Sequence, residues 1–231
     1  MNSGAVQSWL LLKSDPGNCA FNMALDEVLM ASASQINQPI LRFYSWTERA
    51  ASFGYFQKIA VIERATHLRP LVRRPTGGGL VPHDADWTYS VIIPPMHLWY
   101  GLRAGESYER VHQWIRSAFA RINIATELAP ACRKEVPGQC FAGYEKSDVL
   151  WFGKKIAGAA QRRTKSGLLI QGSVQPPPGV ARPQWENAME EAARLEWNVQ
   201  WQTLKLSSAL LEPAEELARS KYSRDEFNRQ R

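Results

Sequence analysis

The chain has 231 residues, with 28 lysines and arginines against 22 acids, a net charge of +6 and three cysteines. A hydrophobic share of 45% and a charged share of 22% exclude a disordered or collagen-like chain, and no run approaches the roughly 18 apolar residues of a membrane helix. Cys19, Cys132 and Cys140 cannot make a closed disulfide set and form no CxxC, which points to a reducing cytoplasm and away from structural zinc.

The opening residues carry only a four-residue apolar stretch and no basic segment, so they do not read as a signal peptide. Strand-like runs rich in aromatic and aliphatic residues lie at 8–13, 39–45, 51–56, 70–74, 87–94, 148–152, 155–161 and 168–174. Asp15 or Asn18 is placed to cap a helix over 18–33, where Phe21, Leu25, Val28 and Leu29 share one face. Val111, Ile115, Ala118, Phe119 and Ile122 predict a second helix over 106–122, and two more are expected at 184–196 and 203–219. The proline-rich stretch 175–183 is short enough for a loop, so 1–231 reads as one domain without a C-terminal accessory domain. Helices do not alternate regularly with strands. The pattern predicts an α+β fold with a mixed, mostly antiparallel sheet carrying helices on its outside.

Charge is concentrated. Between Cys132 and Gly167 stand eight bases and three acids, which is five of the six net charges. Such a patch suits a phosphate-bearing ligand, an acidic protein surface or nucleic acid, although many charge runs are only solvated faces. No nucleic-acid reading motif accompanies it, so nucleic acid is not expected as a partner, nor is a membrane.

Four stretches carry chemistry. Arg73-Arg74-Pro75-Thr76-Gly77-Gly78-Gly79, followed by His83-Asp84, offers backbone freedom for close approach to a ligand and two arginines for a carboxylate or phosphate. In Gly153-Lys154-Lys155-Ile156-Ala157-Gly158, period-2 alternation sets Lys155 beside small residues, with room for a substrate. Gln171-Gly172-Ser173 is unremarkable alone. Cys140 follows a Pro-Gly pair fifteen residues before Lys155, and basic surroundings favour a nucleophilic thiolate. Singly, these also read as a flexible hairpin, a structural histidine, an exposed basic turn and a buried thiol.

Taken together, they resemble the lipoate–protein ligase and octanoyltransferase family. The resemblance also covers Asn22-Met23-Ala24-Leu25-Asp26-Glu27, Ser52-Phe53-Gly54-Tyr55-Phe56-Gln57, Thr88-Tyr89-Ser90 and the ending Lys221-Tyr222 through Phe227-Asn228. It implies the mixed sheet shared with biotin–protein ligase, and attachment of an octanoyl or lipoyl group to a lysine of a lipoyl domain or of the glycine-cleavage carrier protein. By the same resemblance, Lys155 is catalytic, while Arg73, Arg74, Thr76, Gly77, Gly78, Gly79, His83, Gly158 and Arg162 bind substrate. Asn22 and Asp26 read as structural.

Two mechanisms share this family. In a cysteine transferase, Cys140 takes the acyl group from acyl carrier protein and passes it to the acceptor lysine, without a cofactor. Cys140-Phe141 fits that pattern, although Gly79 stands where such transferases often have arginine. In a ligase, ATP and Mg²⁺ make lipoyl-adenylate, and Asp148 occupies the place of the ligase aspartate, with Ser147 replacing the usual Asn. A non-catalytic acyl-binding protein is the remaining reading. The transferase is the one carried forward.

Overall fold

The computed structural model describes residues 5–134, 141 and 143–230. In chain order come β1 (Gln7–Lys13), α1 (Cys19–Ile36), β2 (Ile40–Tyr44), β3 (Ala50–Phe53), α2 (Ile59–Ala65), β4 (Leu71–Arg73), β5 (Val81–His83) and β6 (Trp87–Ile93). Next are α3 (Ala104–Arg121), β7 (Glu127–Leu128), β8 (Arg133–Lys134), β9 (Gly143–Tyr144), β10 (Val149–Trp151), β11 (Lys154–Thr164) and β12 (Gly167–Val174). The chain continues with α4 (Arg182–Trp197), β13 (Val199–Thr203), α5 (Ser208–Leu217) and α6 (Asp225–Asn228). Among the described residues no helix is long and apolar enough to cross a membrane.

Eight strands form the main sheet in the order β13-β1-β2-β6-β12-β11-β10-β7. The β13–β1 and β1–β2 pairings are parallel, and the rest are antiparallel. The α+β expectation holds. Asn18 caps α1 as expected, its side-chain oxygen accepting the Phe21 N–H at 2.8 Å.

One expected element needs correction. The stretch 203–219 is not one helix, because Val199–Thr203 is an edge strand beside β1 and α5 starts only at Ser208. Leu204 and Leu206 are two apart, a strand's spacing, and the pairing with β1 runs on as far as the Leu204 N–H, which donates to Leu11 O at 2.8 Å.

Alternation along the central strands sorts the interior into two halves. Trp87, Tyr89, Val91 and Ile93 of β6, with Leu168, Ile170 and Val174 of β12, face a tryptophan-rich core under α3 and α4. The intervening residues face α1. There Ile92 and Leu169 join an aliphatic core, while Thr88, Ser90, Gln171 and Ser173 stay polar although buried. Polar residues at every second position of a fully buried strand mark a site, since burial without partners is costly.

Part of that polar face is structural. Arg42 and Asp26, both fully buried, pair at 2.6 Å, and Asp26 also accepts Ser90 Oγ and Gln171 Nε2, each at 2.8 Å. This agrees with the structural reading of Asp26. Asn22, also read as structural, accepts Arg42 Nη2 at 2.8 Å and donates to the Gly17 and Ser45 carbonyls. Replacing Arg42→Met strands the carboxylate, so urea unfolding is expected to show a loss of about 3–5 kcal/mol. An unchanged urea midpoint would mean that Asp26 is satisfied without the guanidinium.

Candidate active site

A second, three-stranded sheet ordered β4-β3-β5 lies over the polar face. Between the two sheets is a pocket open to solvent at its mouth. Met23, Trp46, Val81 and Phe141 supply apolar wall, Gly158 and Gly172 supply space, and Arg74, His83, Lys155 and Gln171 supply polarity.

Lys155 is firmly held in the pocket. Its Nζ lies 2.7 Å from Asp148 Oδ2, with the lysine side chain only 6% exposed and the aspartate wholly buried. The Glu145 N–H donates to the same oxygen at 2.7 Å, and the Tyr108 hydroxyl on α3 donates to Oδ1. Burial, with the nearby carboxylate, raises the Tyr108 pKa and keeps the phenol a donor. Behind it, burial and then the Lys155 charge push His112 down to about 3, so this imidazole is neutral. The Lys155 ammonium sits 5.3 Å from the centre of the Phe141 ring, within cation–π range. Cys140 itself lies outside the described residues.

Gly158 makes the arrangement sterically possible. A Cβ there would stand 2.6 Å from Lys155 Cε and 2.7 Å from its Nζ. Both atoms belong to the end of a flexible side chain, so Gly158→Ala is expected to fold but to push Lys155 off Asp148. A misplacement of about 1 Å can cost roughly 10²-fold in rate, and that is the expected loss of acyl transfer. Wild-type turnover in a folded Gly158→Ala protein would show that the lysine position is not critical.

The remaining predicted site residues divide. Arg74 lines the pocket, donating to Ser52 Oγ at 3.0 Å and to the Gly77 and Gly79 carbonyls at 2.8 Å each. It therefore shapes the glycine turn as well as facing the cavity. Thr76 pins that turn to the main sheet by donating to Gln171 Oε1 at 2.7 Å. Gly78 takes φ +85°, and its carbonyl packs so closely on Gly54 that a Cβ at Gly54 would lie 1.9 Å away. Thr76, Gly77, Gly78 and Gly79 support the pocket without lining it.

Arg73 is directed elsewhere. Its guanidinium donates to the carbonyls of Tyr55, Gln57, Phe227 and Asn228, tying β4 to the C-terminal segment. Arg162, whose side chain is 37% exposed, stands 3.9 Å from Glu27 and off the pocket wall. Neither meets the pocket, because one guanidinium is held by carbonyls and the other lies near the partly buried Glu27 carboxylate.

The donor set around Asp148 does not suit a divalent cation as arranged. Both oxygens are engaged, and no group of three or more His, Cys, Asp or Glu residues gathers for a metal among the described residues.

Residues 18–175 match the lipoyl protein ligase A/B catalytic domain family. The chain belongs to that family. Its relatives include the octanoyltransferase LipM of Macrococcus caseolyticus, 33% identical over 184 residues that cover 73% of this chain and 66% of the relative. LipM of Bacillus subtilis is 35% identical over 181 residues, covering 73% and 65%. The matched region is thus about two thirds of the length of these curated relatives.

Solved lipoate–protein ligases share the fold. A lipoate–protein ligase A bound with ATP superposes with a TM-score of 0.78 at 22% identity, covering 97% of this chain and 99% of that one. A bipartite lipoate–protein ligase from Thermoplasma acidophilum gives 0.74 at 21% identity, covering 97% of both. The resemblance read from the motifs is thereby established at the level of family and fold.

Two residues that hold pocket side chains escaped the sequence reading. Tyr108 sits on an ordinary amphipathic helix, and nothing in its spacing links it to Asp148, forty residues on. Asp86 had a signal: it is an acid just before the buried strand β6, two residues ahead of Thr88 on the polar face.

Proposed function

We propose that this family member transfers an octanoyl or lipoyl group from acyl carrier protein to a lysine of a lipoyl-domain protein or of the glycine-cleavage carrier. Cys140 is the nucleophile. Its thiolate attacks the carrier thioester, a new C–S bond forms as the old one breaks, and the carrier leaves as a thiol. The acceptor amine then attacks the acyl-cysteine and releases the Cys140 thiol. Lys155 faces the carbonyl oxygen as charge develops there, held in place by Asp148 and through it by Tyr108.

The observation that carries this reading is the Lys155–Asp148 pair, with Lys155 on the wall of a largely apolar pocket. Phe141, bonded to Cys140 in the chain, places its ring near that ammonium. The LipM relatives favour octanoyl transfer, which exchanges a thioester and needs no ATP. The single-domain organisation and the reducing, cytoplasmic setting expected from the sequence belong to the same reading.

A ligase acting through lipoyl-adenylate is the second reading, favoured by the ATP-bound relative of the same fold. Against it stands the engagement of both Asp148 oxygens. The test is incubation with octanoyl-acyl carrier protein and a lipoyl domain, without ATP, followed by mass analysis of the lipoyl domain. Transfer predicts an added octanoyl group on the domain. Modification only when ATP and free acid are supplied would select the ligase.

A further inference from the structure

Acyl transfer through Cys140 and Lys155 leaves one constellation in the pocket unused. Ser52 Oγ lies 2.7 Å from His83 Nε2, and His83 Nδ1 lies 2.9 Å from Asp86 Oδ2. Asp86 can only accept, so the ring proton belongs on Nδ1, and the serine hydroxyl donates to the bare Nε2. That is the order of nucleophile, base and carboxylate by which a hydroxyl becomes an attacking group at neutral pH.

The surroundings fit that role better than a purely structural network. Ser173 and Thr88 donate to Asp86 Oδ2 at 2.7 and 3.1 Å, but Asp86 Oδ1 is buried without a hydrogen-bond partner. Among the described residues, His83 is the one ionisable base in contact with this carboxylate. A half-satisfied buried anion is costly, and positive charge that develops on His83 as it takes the Ser52 proton lies directly against this carboxylate. Trp46 stacks on the imidazole at 3.9 Å and fixes the ring plane. Arg74 Nη1 already donates to Ser52 Oγ at 3.0 Å, a positive donor that favours negative charge on the attacking oxygen.

Position completes the case. Ser52 and His83 are on paired strands, so their geometry is set by the sheet. Both line the apolar-walled pocket. His83 and Asp86 also border a second, more open cleft beside Glu48 and Arg49, which gives water a route to the base.

We propose that Ser52, His83 and Asp86 form a second acyl-transfer centre that hydrolyses thioesters and esters of straight-chain, medium-length acids seated in the pocket. The Ser52 proton passes to His83 Nε2 as Oγ bonds to the acyl carbon. The carbon–sulfur bond of the substrate breaks, and the departing thiolate takes that proton. Water then gives a proton to His83 and its oxygen to the acyl carbon, and the carbon–Oγ bond breaks as Ser52 regains hydrogen. The net reaction is thioester plus water to carboxylic acid plus thiol.

The test uses the full chain and an octyl fluorophosphonate, a probe that modifies base-activated serines, with intact mass and peptide mapping. One adduct per chain is expected on Ser52, absent from Ser52→Ala and formed at least tenfold more slowly in Asp86→Asn. In a Cys140→Ala background, thiol release from an octanoyl thioester without acceptor is expected to persist and to disappear when Ser52→Ala is added. No adduct on Ser52 of the wild-type chain, or thiol release indifferent to Ser52→Ala, would overturn the proposal. Should Ser52→Ala fail to fold, the mapped wild-type adduct decides alone. Transfer to the lipoyl domain is a separate readout, so its failure leaves this test intact.

Discussion

Lys155→Ala is expected to cut acyl transfer by about 10²–10³-fold, the usual cost of losing one preorganised partner for a developing oxyanion. It should also destabilise the fold, which the sequence alone does not suggest. Asp148 is wholly buried and pairs with Lys155 at 2.7 Å, so the variant leaves a carboxylate supported only by Tyr108 and the Glu145 N–H. Breaking a buried pair on one side typically costs about 3–5 kcal/mol. The two effects separate in a double variant. Lys155→Met with Asp148→Leu removes the stranded charge and should recover most of the urea stability, while transfer stays low. Recovery of activity along with stability would reduce Lys155 to a structural role, as would full activity in the single variant.

Cys140→Ser is expected to produce the other large loss, at least about 10²-fold in turnover, because a serine hydroxyl is scarcely ionised at neutral pH. Neither remaining thiol is placed to compensate. Cys19 is buried on α1, and burial, reinforced by the Glu48 carboxylate, holds its thiol well above the ordinary cysteine range. Cys132 is exposed and absent from the pocket wall. Steady-state transfer with octanoyl-acyl carrier protein checks this directly. Unchanged turnover in a folded Cys140→Ser protein would exclude the cysteine route.

Much of the fold was legible because its signals are local and repeated. The 3.6-residue period located α1 and α3 to within a few residues, and the long β11–β12 hairpin follows from two apolar runs separated by a short turn. What escaped depended on partners far away in the chain. β13 is a strand only because β1 offers an edge, and β5 has just three residues.

The site divides the same way. Lys155, Arg74 and His83 sit in motifs whose composition announces chemistry, and the structure brings all three to one pocket. Arg73 shares the motif but lies on the opposite side of the alternation, where its guanidinium binds main-chain carbonyls. Sequence spacing shows that two adjacent arginines point apart in a strand, not which of them faces a ligand. Tyr108 contacts Asp148 from a separate helix, and a single sequence holds no trace of such a contact, whereas Asp86 was legible only as an acid ahead of the polar face of β6.

The central claim is that the acyl group passes through a thioester on Cys140. Its most direct measurement is the intact mass of this chain after brief mixing with octanoyl-acyl carrier protein, without ATP or acceptor, followed by peptide mapping. The predicted result is one added octanoyl group, located on Cys140, removed by hydroxylamine and absent in Cys140→Ser. An unmodified chain that nevertheless octanoylates a lipoyl domain under the same conditions would contradict the account.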